Sequence, residues 1–205
     1  MSDSNVVGGF LPSTNGFHFA NRFPSGPTVR LGPLDPRWIG VGDASAGLCG
    51  GMAWFVRERF EGGQPIAPDT EPPANGSTLF TALVRRQVRS LEWGRTPFGF
   101  WRMGAFGSDR IGSRTRKREW PRIRARIDAG RLAMLGLARS RGLNPFNLTK
   151  NHQVLGYGYE VTAEAIRLRL YDPNWPDLDD VIVTIAPDRI SQSTGETLFG
   201  VLSLD

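Results

Sequence analysis

Apolar side chains change their spacing partway along this chain, and that change limits the folds open to it. From Cys49 onward, Met52, Phe55, Val56 and Phe60 fall at helical positions, and Gly62-Gly63 supplies a stop. After a proline-rich loop over 64–76, Ser77 is placed to cap a second helix whose core face is Phe80, Leu83, Val84, Val88 and Leu91. Trp120-Pro121 reads as the start of a third helix, with Pro at its first position, Ile123 and Ile127 on its buried edge and Gly130 closing it. Beyond it the spacing is that of strands, over 132–138, 152–160, 166–171, 181–186 and 197–202, with Ile166, Leu168 and Leu170 inward and Arg167 and Arg169 outward. Helices first and strands last predict an α+β fold: N-terminal helices, the first carrying Cys49, packed on a C-terminal antiparallel β-sheet.

The chain has 205 residues, 40% of them hydrophobic, which is enough for one domain with a real core, so 1–205 is expected to be a single domain. Residues 1–40 are rich in Gly, Pro, Ser and Asn yet carry Phe10, Phe17, Phe19, Phe23 and Trp38. So many large apolar side chains without a sustained period predict an ordered, irregular arm that wraps the domain. The glycine- and arginine-rich stretch 94–117 has no periodic face and is expected to be a long surface loop. One cysteine cannot close an internal disulfide, no charged-then-apolar leader opens the chain, and no apolar run approaches the roughly 20 residues that span a bilayer. The expectation is a cytoplasmic protein without a membrane partner.

Cys49 stands where glycines give way to an amphipathic helix, in Gly47-Leu48-Cys49-Gly50-Gly51-Met52. The helix dipole and the free N–H groups of a first turn favour thiolate over thiol. A lone cysteine is also among the most often buried residue types, so the position alone does not make a nucleophile. Support comes from the hairpin His152-Gln153-Val154-Leu155-Gly156-Tyr157-Gly158-Tyr159, which returns over 166–171 into Asp172-Pro173-Asn174-Trp175. If Val161, Thr162 and Ala163 form its turn, residue 160 pairs with 164 and His152 lies directly opposite Asp172. Opposed residues share a face, with Cβ atoms about 4.5–5.5 Å apart. Asn174 takes that place if the loop is two residues longer, and a slip of one residue would separate the pair. Nucleophile, base and orienter for acyl transfer would then be Cys49, His152 and Asp172.

The order cysteine, histidine, Asp or Asn resembles the papain-like cysteine peptidases. The His-Gln-Val-Leu-Gly-Tyr-Gly-Tyr strand with its Tyr-Asp-Pro-Asn turn is similar to the branch that includes bacteriocin-processing peptidase domains. Ile127-Asp128-Ala129-Gly130-Arg131 before an apolar strand fits the same pattern, and the resemblance spans residues 43–186. It implies a papain-like fold with Cys49 as nucleophile, His152 as base and Asp172 as third member, acting on a peptide or protein substrate. The family also places a glutamine six residues before its cysteine to donate to the oxyanion, and here that position is Asp43, so the oxyanion region is Asp43 and Cys49. A carboxylate repels an oxyanion. The Cys-Gly-Ser-Cys-Trp signature of papain is absent, and the Cys49–His152 interval is shorter than papain's roughly 130 residues or more.

Other patterns carry less. Asp172, Asn174, Asp177, Asp179 and Asp180 lack the glycine spacing of a calcium loop and read as a solvated turn, so no metal and no cofactor are expected. The formal charge is +5, and much of it lies in Arg102, Arg110, Arg114, Arg116, Lys117, Arg118, Arg122, Arg124 and Arg126. No nucleic-acid motif accompanies these residues, so they read as a solvated face or as a rim that steers an acidic peptide; nucleic acid is not an expected partner. His18, between Phe17 and Phe19, reads as a packing residue. The expected function is a cysteine hydrolase working through a thioester acyl-enzyme. The alternative, motivated by Asp43, is a catalytically silent papain-like domain that binds a protein or peptide.

Overall fold

The computed structural model describes residues 3–23, 47–90, 113–139 and 151–205. Its helices are α1 (Pro12–Asn15), α2 (Cys49–Glu61), α3 (Thr78–Ser90) and α4 (Trp120–Asp128). The Ser77 hydroxyl accepts from the Phe80 N–H at 3.2 Å, so it caps α3. Gly130 ends α4 in the left-handed region (φ 71°), where a Cβ would be strained. The third helix differs from its expected start: residues 113–114 are already helical and Thr115–Glu119 is a π-helical stretch that runs into α4. Thr115 and Glu119, both buried, bond to the backbone of Val201 and Ser203, which anchors this wide turn against the sheet.

The strands are β1 (Asp3–Val6), β2 (Ala133–Ala138), β3 (His152–Val161), β4 (Ile166–Tyr171), β5 (Ile182–Ile185), β6 (Ile190–Gln192), β7 (Thr197–Leu198) and β8 (Gly200–Ser203). They form one antiparallel sheet in the order β7-β6-β5-β4-β3-β2-β8, with β1 paired to β3 beyond the end of β2. The chain is therefore α+β. The single strand expected over 197–202 is two strands, and they lie at opposite ends of the sheet although only Phe199 separates them. Cα atoms flanking one residue are at most about 7 Å apart, so the sheet has to curl until its two ends meet, giving a half-barrel.

β3 is the spine of the molecule. α2 and α4 pack against it, and its first eight residues are all buried. β4 alternates as expected, with Ile166, Leu168 and Leu170 buried and Arg167 and Arg169 exposed. The arm is more regular than its composition implies, because Asp3–Val6 is a strand of the sheet. Further along, Phe10 and Phe17 pack on Phe60 and Phe55 of α2, with ring centroids 5.0 and 5.4 Å apart. Arm residues 24–40, and most of the loop over 94–117, lie outside the described residues.

Several arginines of the basic stretch are spent on the fold itself. Arg124 pairs with Asp3 (2.8 Å) and Asp128 (3.3 Å), and Arg126 with Glu61 (3.6 Å) and Asp205 (3.7 Å). Among the described residues, no helix is long and apolar enough to cross a membrane.

Candidate active site

The expected hairpin register is corrected by the structure, in two steps that offset one another. The turn has four residues, 162–165, so Val161 pairs with Ile166 and residue 160 pairs with 167. The Thr162 hydroxyl holds it, accepting from the N–H groups of Glu164 and Ala165 at 3.2 Å each. Carried down the strands, this register would put His152 and Asp172 on opposite faces. A bulge at Tyr157 intervenes: Gly158 pairs with Arg169, yet Gly156 pairs with Leu170. The one-residue shift returns the two side chains to one face, diagonal rather than directly opposed.

The distance is accordingly short. His152 Nε2 lies 2.5 Å from Asp172 Oδ1, and both residues are buried, Asp172 with no exposed surface. The carboxylate is held from several sides. Oδ1 also accepts from the Asn174 N–H at 2.9 Å, and Oδ2 accepts from Gln192 Nε2 at 2.7 Å. Arg139 Nη2 stands 3.9 Å from Oδ2, itself fixed by Glu196. With Nε2 committed to Asp172, Nδ1 is the nitrogen left for the Cys49 thiol, whose charge acts on the imidazole.

Cys49 is the first residue of α2 and is partly exposed. Its Sγ accepts from the Gln153 N–H at 3.4 Å, which draws the helix start onto β3 beside the base. The two glycines after it permit this approach. A Cβ on Gly50 would come within 2.5 Å of Ser90 Oγ and 2.6 Å of Gln153 Oε1, and one on Gly51 within 2.2 Å of the Leu83 carbonyl oxygen. The N–H of Gly51 donates to Gln87 Oε1 at 2.9 Å, and that of Leu48 to Asn21 Oδ1 at 2.6 Å. The N–H of Cys49 finds no acceptor among the described residues.

The electrostatics follow from these contacts. Burial alone would raise the Cys49 thiol, but the His152 charge, its hydrogen bond and the Gln153 N–H outweigh it, so the thiol is held below its ordinary value. Burial would likewise lower the His152 imidazole, yet the charges of Asp172 and Cys49 push it up to about 9. Asp172 is lowered, its burial overcome first by the His152 charge. These directions favour a thiolate–imidazolium pair over the neutral one.

Cys49, His152 and Asp172 are thus brought together, and Asn174 is not one of them. Its side-chain oxygen accepts from Asn21 Nδ2 at 3.0 Å, and no hydrogen bond joins it to His152 among the described residues. Asp43 lies outside the described residues. His18, read as a packing residue, is partly buried between the buried Phe17 and Phe19 and also has its Nδ1 2.6 Å from Asp177. The acidic turn is tied to the arm elsewhere too, with Asp179 accepting from the Ser13 N–H (2.8 Å) and hydroxyl (2.7 Å). Sequence reasoning missed Gln192, Arg139 and Asn21. None of these three carried a signal, whereas the glycines flanking Tyr157 mark the bulge. The chain matches no family model, no curated protein and no solved structure.

Proposed function

We propose that the chain is a papain-like cysteine hydrolase that cleaves peptide or related amide bonds. The observation that carries this reading is the 2.5 Å contact of His152 Nε2 with buried Asp172, on a ring whose other side serves the sole cysteine of the chain. Cys49 thiolate attacks the acyl carbonyl and the π pair moves onto oxygen. As the C–N bond breaks, His152 gives its proton to the departing amine, leaving a thioester on Cys49. Neutral His152 then takes a proton from water, whose oxygen attacks the thioester and regenerates the thiolate. Asp172 keeps the ring oriented and its charge favours the imidazolium throughout.

Alkylation with iodoacetamide tests this directly, because Cys49 is the only thiol in the chain. Cys49 should label rapidly well below the free-thiol pKa of about 8.5, and His152→Ala should abolish that reactivity. Slow labelling that ignores His152 refutes the enzyme and leaves the silent, peptide-binding domain that Asp43 motivates.

A further inference from the structure

We infer that Asn21, from the N-terminal arm, supplies the side-chain donor of the oxyanion hole, in partnership with the Cys49 backbone N–H. The inference rests on the hydrolase reading above and names a catalytic group that the sequence pattern did not offer. Acyl transfer needs donors aimed at the oxygen on which charge develops, and Asp43 at the usual glutamine position is an acceptor.

Asn21 is fixed against the nucleophile by three hydrogen bonds. Its own N–H donates to the Pro173 carbonyl at 2.8 Å, its Oδ1 accepts from the Leu48 N–H at 2.6 Å, and its Nδ2 donates to Asn174 Oδ1 at 3.0 Å. Its amide therefore sits one residue before Cys49, between the start of α2 and the turn that carries Asp172. A primary amide nitrogen has two protons. Asn174 takes one, and the other has no acceptor among the described residues. Asn21 is only half-buried, so among the described residues that second N–H is left for a ligand.

The chain makes room for this amide. Gly47 has φ 89°, and a Cβ there would stand 2.5 Å from Asn21 Nδ2. The other two amides near the first turn of α2 present oxygen to it instead: Gln87 Oε1 to the Gly51 N–H, and Gln153 Oε1 toward Gly50. When Cys49 Sγ bonds to the acyl carbon, the carbonyl π pair moves to oxygen, and the Asn21 and Cys49 N–H groups hold that oxyanion. Collapse restores the C=O bond and expels the leaving group with its electron pair.

Two reagents separate this role from positioning. p-Nitrophenyl acetate acylates Cys49 through an oxyanion, whereas iodoacetamide loses iodide from a saturated carbon and forms none. In Asn21→Ala, acylation should fall about 10²- to 10³-fold, while the limiting alkylation rate at the plateau of its pH profile stays at the wild-type value. Asn21→Asp keeps an acceptor for the Leu48 N–H and should show the same split, which decides the matter if the alanine variant fails to fold. Equal losses with both reagents, or no loss with either, overturn the inference. Failure of the wild-type chain to alkylate rapidly would refute the hydrolase reading itself, a separate outcome.

Discussion

Asp172→Asn isolates the charge of the orienting carboxylate with little change of shape. The mutant Oδ1 can still accept from His152 Nε2 and from the Asn174 N–H. At the other oxygen the new NH₂ would face Gln192 Nε2, a donor, but Gln192 Oε1 is buried and has no partner among the described residues, so rotating that amide restores a hydrogen bond. What is lost is the charge. An imidazolium and a carboxylate with charge centres about 4 Å apart interact by about 4 kcal/mol at an effective dielectric of about 20. The rise of His152 from 6.5 to about 9 is the net of burial, which lowers it, and of the Asp172 and Cys49 charges, which raise it, with Asp172 the larger of the two. Without that charge the imidazolium loses most of its support and the thiolate–imidazolium pair is depopulated. Asp172 also slightly opposes the Cys49 thiolate, which returns part of the loss. Alkylation of Cys49 at neutral pH should therefore slow by up to about 10²-fold. Intact mass reads the adduct without ambiguity, since there is one cysteine. A mutant whose rate–pH profile overlays the wild type would refute the argument, because the carboxylate would then contribute shape alone.

Turnover of an amide or ester substrate should follow a bell in pH. Cys49 is lowered, so the acid limb lies below the ordinary thiol value, and His152 holds its proton only up to about 9, so the alkaline limb lies near there. A profile still rising past that limb would show that no imidazolium is needed. Gly51→Ala should cost about 1–3 kcal/mol of stability, read as a lower urea midpoint, since its Cβ meets the Leu83 carbonyl at 2.2 Å and α2 must move off α3; an unchanged midpoint would remove close packing as the reason for that glycine.

The α+β class was legible because β4 alternates cleanly and the α2 and α3 stripes repeat, and such short-range patterns survive any register. The His152–Asp172 pairing was legible for a less secure reason. The reading assumed a three-residue turn and an unbroken ladder; the real turn has four residues, and the bulge at Tyr157 restores the parity that the longer turn removes. Thr162 and the flanking glycines Gly156 and Gly158 were the local signs of both. Gln192 and Asn21 left no such sign. Gln192 reaches Asp172 from a three-residue strand, and Asn21 reaches Leu48, Pro173 and Asn174 from an arm segment without period; all these partners are distant in the chain, and a polar side chain in such a setting looks like any solvated one.

The cost of the site is visible in its own helix. Gly50 and Gly51 occupy the first turn of α2, where each weakens a helix by roughly 1 kcal/mol relative to alanine, and what they permit is contact with Gln153, Ser90 and the α3 backbone. Cys49 comes to β3 only because that contact closes, and the His152 imidazolium is favoured by the charges of Asp172 and Cys49, with Asp172 in turn held by Gln192 from β6 and approached by Arg139 from beyond the end of β2. Cys49, Arg139, His152, Asp172 and Gln192 each lie more than ten residues from the next. Thiol reactivity is consequently a property of the assembled fold and not of the Cys-Gly-Gly segment, so the enhanced alkylation of Cys49 should disappear in the same urea transition that melts the sheet; enhancement that outlasts the sheet would locate its origin in the α2 terminus alone.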